Sequence, residues 1–315
     1  YPDIRRRSIE QFALYLKDWY ESARRSPTMD GYTYWLMTDL PGGVEGDMNS
    51  CGIFDVLCRP DKFPDPAPVL RFNRETVLLV DVELGQRVLS PGTAREAGLI
   101  VPHYGSEAIR DGVVEWEVAG EGVPAARGEI RLPQVEVGSV ERVGSVTLGP
   151  WQPDCGRKVR LSVRLRSAAC EQSNEWDFWV FPARKRDFEG SGVVNLTGLG
   201  EVTRRYETRE AGLAGAKVVL ATGLTPEVAE YVAGGGRAVL LTERGGLARP
   251  LHFTYWPAWI RRIGNVVDDH PAVRAFPSDG FCGFQLMRLF GGEADRKFDT
   301  QSVSKSITSL TLGLA

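Results

Sequence analysis

The stretch Lys158-Val159-Arg160-Leu161-Ser162-Val163-Arg164-Leu165 is typical of a β-strand, because it is short and rich in β-branched and other apolar residues. Five similar stretches lie between residues 73 and 182 and are separated by Gly, Pro and polar clusters: Thr76–Val82, Gly98–Val101, Val113–Val118, Ser145–Leu148 and Trp176–Phe181. Their spacing predicts an immunoglobulin-like β-sandwich over residues 73–185. The proline-rich residues 59–68 form the linker before it.

Upstream of this linker, the pattern changes to that of a helix followed by one strand. Apolar residues follow the i, i+3, i+4, i+7 spacing of an amphipathic helix between residues 4 and 25: Ile9, Phe12, Ala13, Leu16 and Tyr20. Charged residues are predicted on the other faces: Arg6, Glu10, Lys17, Asp18 and Glu21. An apolar, aromatic strand over residues 32–38 follows, and residues 41–43 form a turn. Such a helix and strand are typical of an α/β layer or barrel, although one of each cannot close a barrel.

The last part of the chain has the pattern of a small, mostly parallel α/β domain over residues 186–315. Residues 216–221 and 238–242 read as buried strands, and a helix begins at Thr225-Pro226-Glu227 and ends at Gly234-Gly235-Gly236. Strand, helix and strand at this spacing predict a βαβ unit. Because the periodicity is lost after residue 292, we expect that this domain is cut short or ends abnormally.

Composition limits the classes of function. The 315 residues suggest about two or more domains, and the 41 acidic and 38 basic residues give a net charge of -3, which argues against nucleic acid as the main partner. Apolar runs are too short for a membrane span. The chain begins with Tyr1 rather than Met, so we expect that a preceding segment has been removed. The five cysteines form no C-x-x-C pair and the three histidines are far apart, so we expect no metal and no cofactor.

Several motifs together resemble the end of the catalytic barrel of glycoside hydrolase family 2, which includes β-galactosidases and β-glucuronidases. They are the helix at residues 11–25, Gly31-Tyr32-Thr33-Tyr34-Trp35 with Asp39 four positions on, Gly52-Ile53-Phe54-Asp55, and Pro60-Asp61-Lys62. In that family, the last strand of the (β/α)8 barrel ends in a Trp and an Asp at this spacing, and a β-sandwich follows. The resemblance implies that residues 1–72 are the C-terminal end of a TIM-barrel domain.

Trp35 and Asp39 are the substrate-binding candidates that follow from this placement. A Trp at the carboxyl end of a barrel strand lies at the mouth of the barrel, where its flat face stacks on a sugar ring. The resemblance places both catalytic carboxylates of a retaining glycosidase upstream of residue 1. We therefore assign no catalytic residue in this chain, and we expect Glu45, Asp47 and Asp55 to serve loop structure or substrate contacts.

The C-terminal domain resembles the amidotransferase-like domain that some relatives of these hydrolases carry, and Gly280-Phe281-Cys282-Gly283 has some likeness to a nucleophile elbow. No buried strand leads into it, and His252 or His270 would have to serve as the base. We therefore expect Cys282 to be structural. Asn195-Leu196-Thr197 matches a glycosylation sequon. The aromatic cluster over residues 176–181 is expected to fill the sandwich, with a carbohydrate-binding face as the alternative.

These expectations combine into a mixed multidomain chain, the C-terminal portion of a retaining glycoside hydrolase. The chain would supply part of the sugar subsite and accessory domains, with a carbohydrate as its partner and a homo-oligomer left open. The alternative from another class is a non-catalytic carbohydrate-binding or scaffold protein, and a third is an amidase that uses Cys282.

Overall fold

The computed structural model describes residues 2–29, 31–34, 37–39, 52–60, 62–83, 86–132, 134–183, 192–198, 213–240, 277–281 and 283. The described chain is mostly β-sheet with few helices. It divides into two compact units, one of residues 1–183 and 256–289 and the other of residues 184–255 and 290–315.

Within the described residues, the helices are α1 (Pro2–Arg24), α2 (Ala67–Leu70) and α3 (Pro226–Ala233). The strands of the first unit are β1 (Leu79–Asp81), β2 (Val88–Leu89), β3 (Arg95–His103), β4 (Val113–Gly120), β5 (Val123–Arg131), β6 (Ser139–Leu148), β7 (Arg157–Arg166) and β8 (Glu171–Val180). The strands of the second unit are β9 (Val193–Asn195), β10 (Val218–Ala221) and β11 (Ala238–Leu240).

The strands of the first unit form two sheets that share one core. The smaller sheet has the order β1-β3-β6 and the larger has the order β2-β8-β7-β4-β5, and all pairs are antiparallel except β2 with β8. Leu99 and Val146 of the smaller sheet belong to the same buried cluster as Val114 and Leu161 of the larger sheet. Because side chains alternate between the faces of a strand, each sheet contributes every second residue to this core. All six predicted strands are therefore confirmed, and β2 and β5 are additional.

Helix α1 also belongs to this unit and has the apolar face that its sequence predicts. Phe12, Leu16 and Tyr20 are buried and form a cluster with Phe72, which follows α2. The strand predicted over residues 32–38 is not formed in its described part: residues 32–34 have no strand conformation, residues 35–36 lie outside the described residues, and residue 38 makes only a single parallel bridge with residue 54. The described residues contain no closed barrel, so the end of a barrel over residues 1–72 stays a prediction.

The aromatic cluster at the end of β8 lies inside the first unit. Trp176, Phe178 and Trp179 are all buried. The expectation that most of this cluster fills the sandwich is confirmed, and burial leaves these rings unavailable as a carbohydrate-binding face.

The second unit contains the predicted βαβ arrangement. Strands β9, β10 and β11 are parallel in the order β11-β10-β9, and α3 connects β10 to β11. The Thr225 hydroxyl accepts the amide hydrogen of Val228 at the start of α3, and Pro226 occupies its first turn. Asn195 of the sequon is buried, and its Oδ1 accepts hydrogen bonds from the amide and the hydroxyl of Thr197 at 2.9 and 2.7 Å. In this fold, the Asn195 side chain closes a local turn.

Candidate functional site

The described part of the predicted sugar subsite is built around two chain segments that run parallel. Thr38 pairs with Phe54, the amide of Asp39 donates to the Phe54 carbonyl, and the amide of Phe54 donates to the Met37 carbonyl, both at 2.9 Å. This pairing places Asp39 directly after the bridged residue Thr38 and beside Gly52. Trp35, the other predicted subsite residue, lies outside the described residues.

The carboxylate of Asp39 is held through one of its oxygens. Oδ1 accepts a hydrogen bond from the amide of Gly52 at 2.8 Å and from the ammonium of Lys62 at 2.5 Å. The side chains of Asp39 and Lys62 are only 11% and 9% exposed. Oδ2 accepts no hydrogen bond from the residues that the structure describes. Within the described residues, the site therefore contains a mostly buried carboxylate that is hydrogen-bonded through one oxygen only.

Asp55 closes the turn that follows the second segment. Its Oδ1 accepts hydrogen bonds from the amides of Leu57 and Arg59, both at 2.8 Å, and its Oδ2 accepts one from the Arg59 guanidinium at 2.6 Å. The hydrogen bond from the Arg59 amide contributes most to lowering the pKa of Asp55 below its ordinary value, and the Arg59 guanidinium adds to it. An ionised carboxylate with these partners is suited to stabilise a turn, as the sequence predicts.

The other catalytic candidates all lie outside the described residues: Glu45, Asp47, His252, His270 and Cys282. His103 is buried, and its Nε2 lies 2.6 Å from the Glu107 carbonyl while its Nδ1 lies 2.7 Å from the Thr76 hydroxyl. Because a carbonyl oxygen can only accept a hydrogen bond, Nε2 carries the hydrogen. Both ring nitrogens are therefore engaged in hydrogen bonds within the fold. His103 therefore has a structural role.

The described ranges contain neither a cluster of metal ligands nor a membrane-spanning helix. Within them, no group of three or more His, Cys, Asp or Glu side chains could hold a metal ion. None of the helices in this part of the chain is both long and apolar enough to cross a bilayer.

A second polar cluster connects α1 to the strands of the first unit. Glu21 is fully buried, and its carboxylate accepts hydrogen bonds from Asn174 Nδ2 and Trp176 Nε1, both at 2.8 Å. Lys17 is ion-paired with the same carboxylate, and its ammonium lies 4.8 Å from the centroid of the Trp176 ring. Since Asn174 and Trp176 alternate along β8 and face the same side, one carboxylate satisfies two neighbouring donors.

A cavity of about 140 Å³ lies beside this cluster and is lined by Lys17, Asp18, Arg87 and Trp176, among others. Burial lowers the pKa of Lys17 and raises that of Asp18, although Arg87 lies 3.6 Å from the Asp18 carboxylate. Burial also lowers the pKa of Arg87. Burial therefore disfavours the charged form of each of these three side chains, and the opposite charges among them partly offset this effect.

Sequence analysis missed two residues of these clusters. Lys62 was noted only as part of a motif, and Glu21 was predicted to lie on an outer face of the helix. A Lys that follows two turn segments gives no local signal of its partner. The only available signal for Glu21 is the i, i+4 spacing from Lys17, which is equally typical of an exposed helix face.

Comparisons with known proteins identify one matching family model and several solved structures of low similarity. A family model described as a domain of unknown function (DUF8488) matches residues 94–182, which span β3 to β8. Among curated proteins, none matches the sequence. The Escherichia coli curli protein CsgC is similar over 33% of this chain and 98% of its own, with 13% identity and a TM-score of 0.23.

Two glycoside hydrolases have similarly low scores. A Parabacteroides merdae β-glucuronidase matches with 10% identity and a TM-score of 0.23, covering 34% of this chain and 13% of its own. A family 123 glycoside hydrolase from Clostridium perfringens matches with 7% identity and a TM-score of 0.25, covering 48% of this chain and 38% of its own. The chain thus spans a small part of these enzymes, and the similarity to them is weak.

Proposed function

We propose that this chain is the C-terminal portion of a retaining glycoside hydrolase of the family 2 type. It would supply one side of a sugar subsite, an immunoglobulin-like sandwich and a small α/β domain. The observation that carries the proposal is the Asp39 carboxylate, which directly follows a single parallel bridge and whose Oδ2 accepts no hydrogen bond from the described residues. A carboxylate at the end of the strand that the sequence predicts over residues 32–38, with a Trp four positions earlier, fits the mouth of a (β/α)8 barrel.

In this subsite, Trp35 would stack on the apolar face of a sugar ring and Asp39 Oδ2 would accept a hydrogen bond from a sugar hydroxyl. Stacking and exclusion of water at such a position are worth about 1 to 2 kcal/mol. A fixed carboxylate is a good acceptor for hydroxyls because it need not be ordered when the sugar binds.

The chemistry would require two carboxylates that this chain does not supply. A retaining glycosidase has its acid/base and nucleophile about 5 to 5.5 Å apart. Asp39 is engaged by Lys62, and Asp55 is engaged by its own turn. Both are better suited to binding and to loop structure than to attack on an anomeric carbon.

Exposed apolar side chains beside the subsite support a larger domain around it. Met37 and Leu57 are 68% and 67% exposed. Met37 precedes the bridged residue Thr38, and Leu57 lies in the turn that follows the second segment. Apolar side chains at such a site are suited to contact further protein. The β8 aromatic rings are buried, so the alternative, a non-catalytic carbohydrate-binding or scaffold protein, would have to bind a carbohydrate through another surface.

The test is hydrolysis of aryl β-glycosides by this chain alone and by the longer hydrolase of which we propose it is the C-terminal portion, here called the intact protein. We expect turnover by the intact protein and only background from this chain, because both catalytic carboxylates would lie elsewhere. In the intact protein, Trp35→Ala should lower kcat/KM by roughly tenfold. Tyr104→Ala, which removes an exposed aromatic ring from the sandwich, is the matched control and should leave kcat/KM unchanged.

Two results would contradict the proposal. Failure of the intact protein to hydrolyse any glycoside would remove the assigned activity. Turnover by this chain alone that is lost on changing Glu45 or Asp47 would move the catalytic carboxylates into this chain.

A further inference from the structure

We infer that Lys62 is a positioning residue that orients the Asp39 carboxylate toward the sugar. This inference rests on the proposed function, and the role that it assigns to Lys62 requires no contact between Lys62 and the sugar. It predicts that the loss of Lys62 affects turnover through Asp39.

The first step is the pattern of hydrogen bonds around the Lys62 ammonium. It donates to Asp39 Oδ1 at 2.5 Å and to the Gly52 carbonyl at 2.6 Å. The amide of Gly52 donates to the same Asp39 oxygen at 2.8 Å. Gly52 therefore contacts both members of the ion pair through its backbone, and the three groups form a closed unit that we call the Asp39 clamp.

The second step is that the clamp has little freedom to rearrange. A side chain at position 52 would place its Cβ 2.2 Å from the Asp39 amide nitrogen and from the carbonyl carbon of Thr38. Because real atoms do not approach so closely, only glycine allows the backbone of position 52 to reach Asp39. Two donors on Oδ1 then fix the rotation of the carboxylate, and Oδ2 remains as its acceptor for a ligand.

The third step is the anchoring of Lys62 itself. Its ammonium lies 5.6 Å from the centroid of the Phe12 ring, and Phe12 is buried on the apolar face of α1. A cation over an aromatic face is attracted by the ring quadrupole. Lys62 thus connects the helix core to the end of the 37–39 segment, so that the position of Asp39 is tied to α1.

The charge pair is better explained by orientation than by stability. Burial of an ion pair often gives no net stabilisation relative to apolar side chains of similar size, because both charges lose water. A pair that is about nine-tenths buried at the predicted subsite therefore gains its value from fixing geometry.

The experiment compares Lys62→Met, Lys62→Arg, Asp39→Asn and the double variant Asp39→Asn/Lys62→Met in the intact protein. Glu10→Gln, which breaks the exposed Arg6–Glu10 ion pair on α1, is the control. The readouts are kcat and KM on an aryl β-glycoside, the thermal unfolding midpoint, and the exchange rate of the Gly52 amide hydrogen by NMR.

We expect Lys62→Met to lower kcat/KM by about tenfold or more, and to speed exchange of the Gly52 amide by a similar factor. The kcat/KM of Lys62→Arg should be closer to that of the unsubstituted protein, the parent, because Arg keeps the positive charge. The double variant should recover the unfolding midpoint, since no unpaired charge is buried, but it should not recover kcat/KM. A purely structural pair would recover both.

Three outcomes would overturn the inference. One is a kcat/KM for Lys62→Met within about twofold of the parent. Another is unchanged exchange of the Gly52 amide, and the third is recovery of kcat/KM in the double variant. If the parent hydrolyses no glycoside, the proposed function fails, and Gly52 exchange alone then decides whether Lys62 positions Asp39.

Discussion

Helix α1 contacts the rest of its unit through two faces of opposite character. One face is apolar, where Phe12, Leu16 and Tyr20 pack with Phe72. The other is charged, where Glu21 is buried against Asn174 and Trp176 of β8. Both faces are buried, yet only the first looks buried in the sequence.

The difference concerns what each face requires of its partner. Apolar contacts need area and tolerate many partners of about the right size. The Glu21 carboxylate needs donors at fixed positions, and it obtains them from two residues of β8 that lie two positions apart. We conclude that the apolar face holds α1 to the unit, while the charged face fixes where along β8 it lies.

The largest effect on the charged face of α1 is expected for Glu21→Gln in this chain. The amide of Gln would place a donor against donors and leave Lys17 without its carboxylate, so the free energy of unfolding should fall by about 3 to 5 kcal/mol. Urea unfolding followed by far-UV circular dichroism measures this change.

The control for this prediction is Glu10→Gln on the exposed side of the same helix. Its ion pair with Arg6 is solvent-exposed, so the change should be within about 0.5 kcal/mol. Equal effects of the two substitutions would mean that the buried carboxylate has no special role.

Lys17→Met is expected to have the next largest effect. Met keeps the apolar stem against Trp176 but leaves Glu21 with only its two neutral donors, so the free energy of unfolding should fall by about 1 to 3 kcal/mol. The same urea titration tests it. An effect as large as that of Glu21→Gln would show that the Lys17 charge, rather than the neutral donors, holds the carboxylate.

Much of the fold could be predicted because its signals are local. The i, i+3, i+4 spacing predicted α1, and the Thr225-Pro226 start and the glycines after residue 233 predicted α3. Strand β5 was missed because Val123–Arg131 carries Pro, Gly and three charges, which suit a strand at the edge of a sheet but resemble a loop.

The contacts of Asp39 with Lys62 and of Glu21 with β8 could not be predicted, because they join residues far apart in the chain. Asp39 was a candidate from its position after Trp35, but Lys62 lies 23 residues later. Glu21 meets Asn174 across 153 residues. A polar residue on a helix gives the same pattern whether it faces water or a buried donor, so periodicity cannot distinguish the two.

The third prediction is that the charged face of α1 makes stability depend on pH, which the apolar face cannot do. Burial raises the pKa of Asp18 despite the nearby Arg87, and the charged groups acting on it are Arg87, Glu21, Arg25 and Lys17. A raised pKa means that the folded state binds this proton more tightly than the unfolded chain does. The stability that Asp18 contributes is therefore fully present below its unfolded pKa of about 3.9 and is lost as the pH rises through its folded pKa.

Asp18→Asn should remove this loss. The stability of the variant relative to the parent should increase from about pH 4 to about pH 7, on top of a constant offset from the lost contact with Arg87. Urea midpoints at several pH values within this window measure the trend. A relative stability that does not change with pH would contradict the raised pKa.

The smallest effect is expected for Leu57→Ser, which concerns the apolar side chains that the described structure leaves exposed. In this chain, the substitution should change the free energy of unfolding by less than about 0.5 kcal/mol, because Leu57 is 67% exposed and its backbone hydrogen bond to Asp55 is kept. In the intact protein, where we propose that further protein covers this side, it should be more damaging, by about 1 kcal/mol or more. Leu224→Ser in the α/β unit, also exposed, is the control and should behave alike in both proteins. Equal effects of Leu57→Ser in the two proteins would mean that this apolar side faces water in both, and that the structural support for a surrounding barrel is lost.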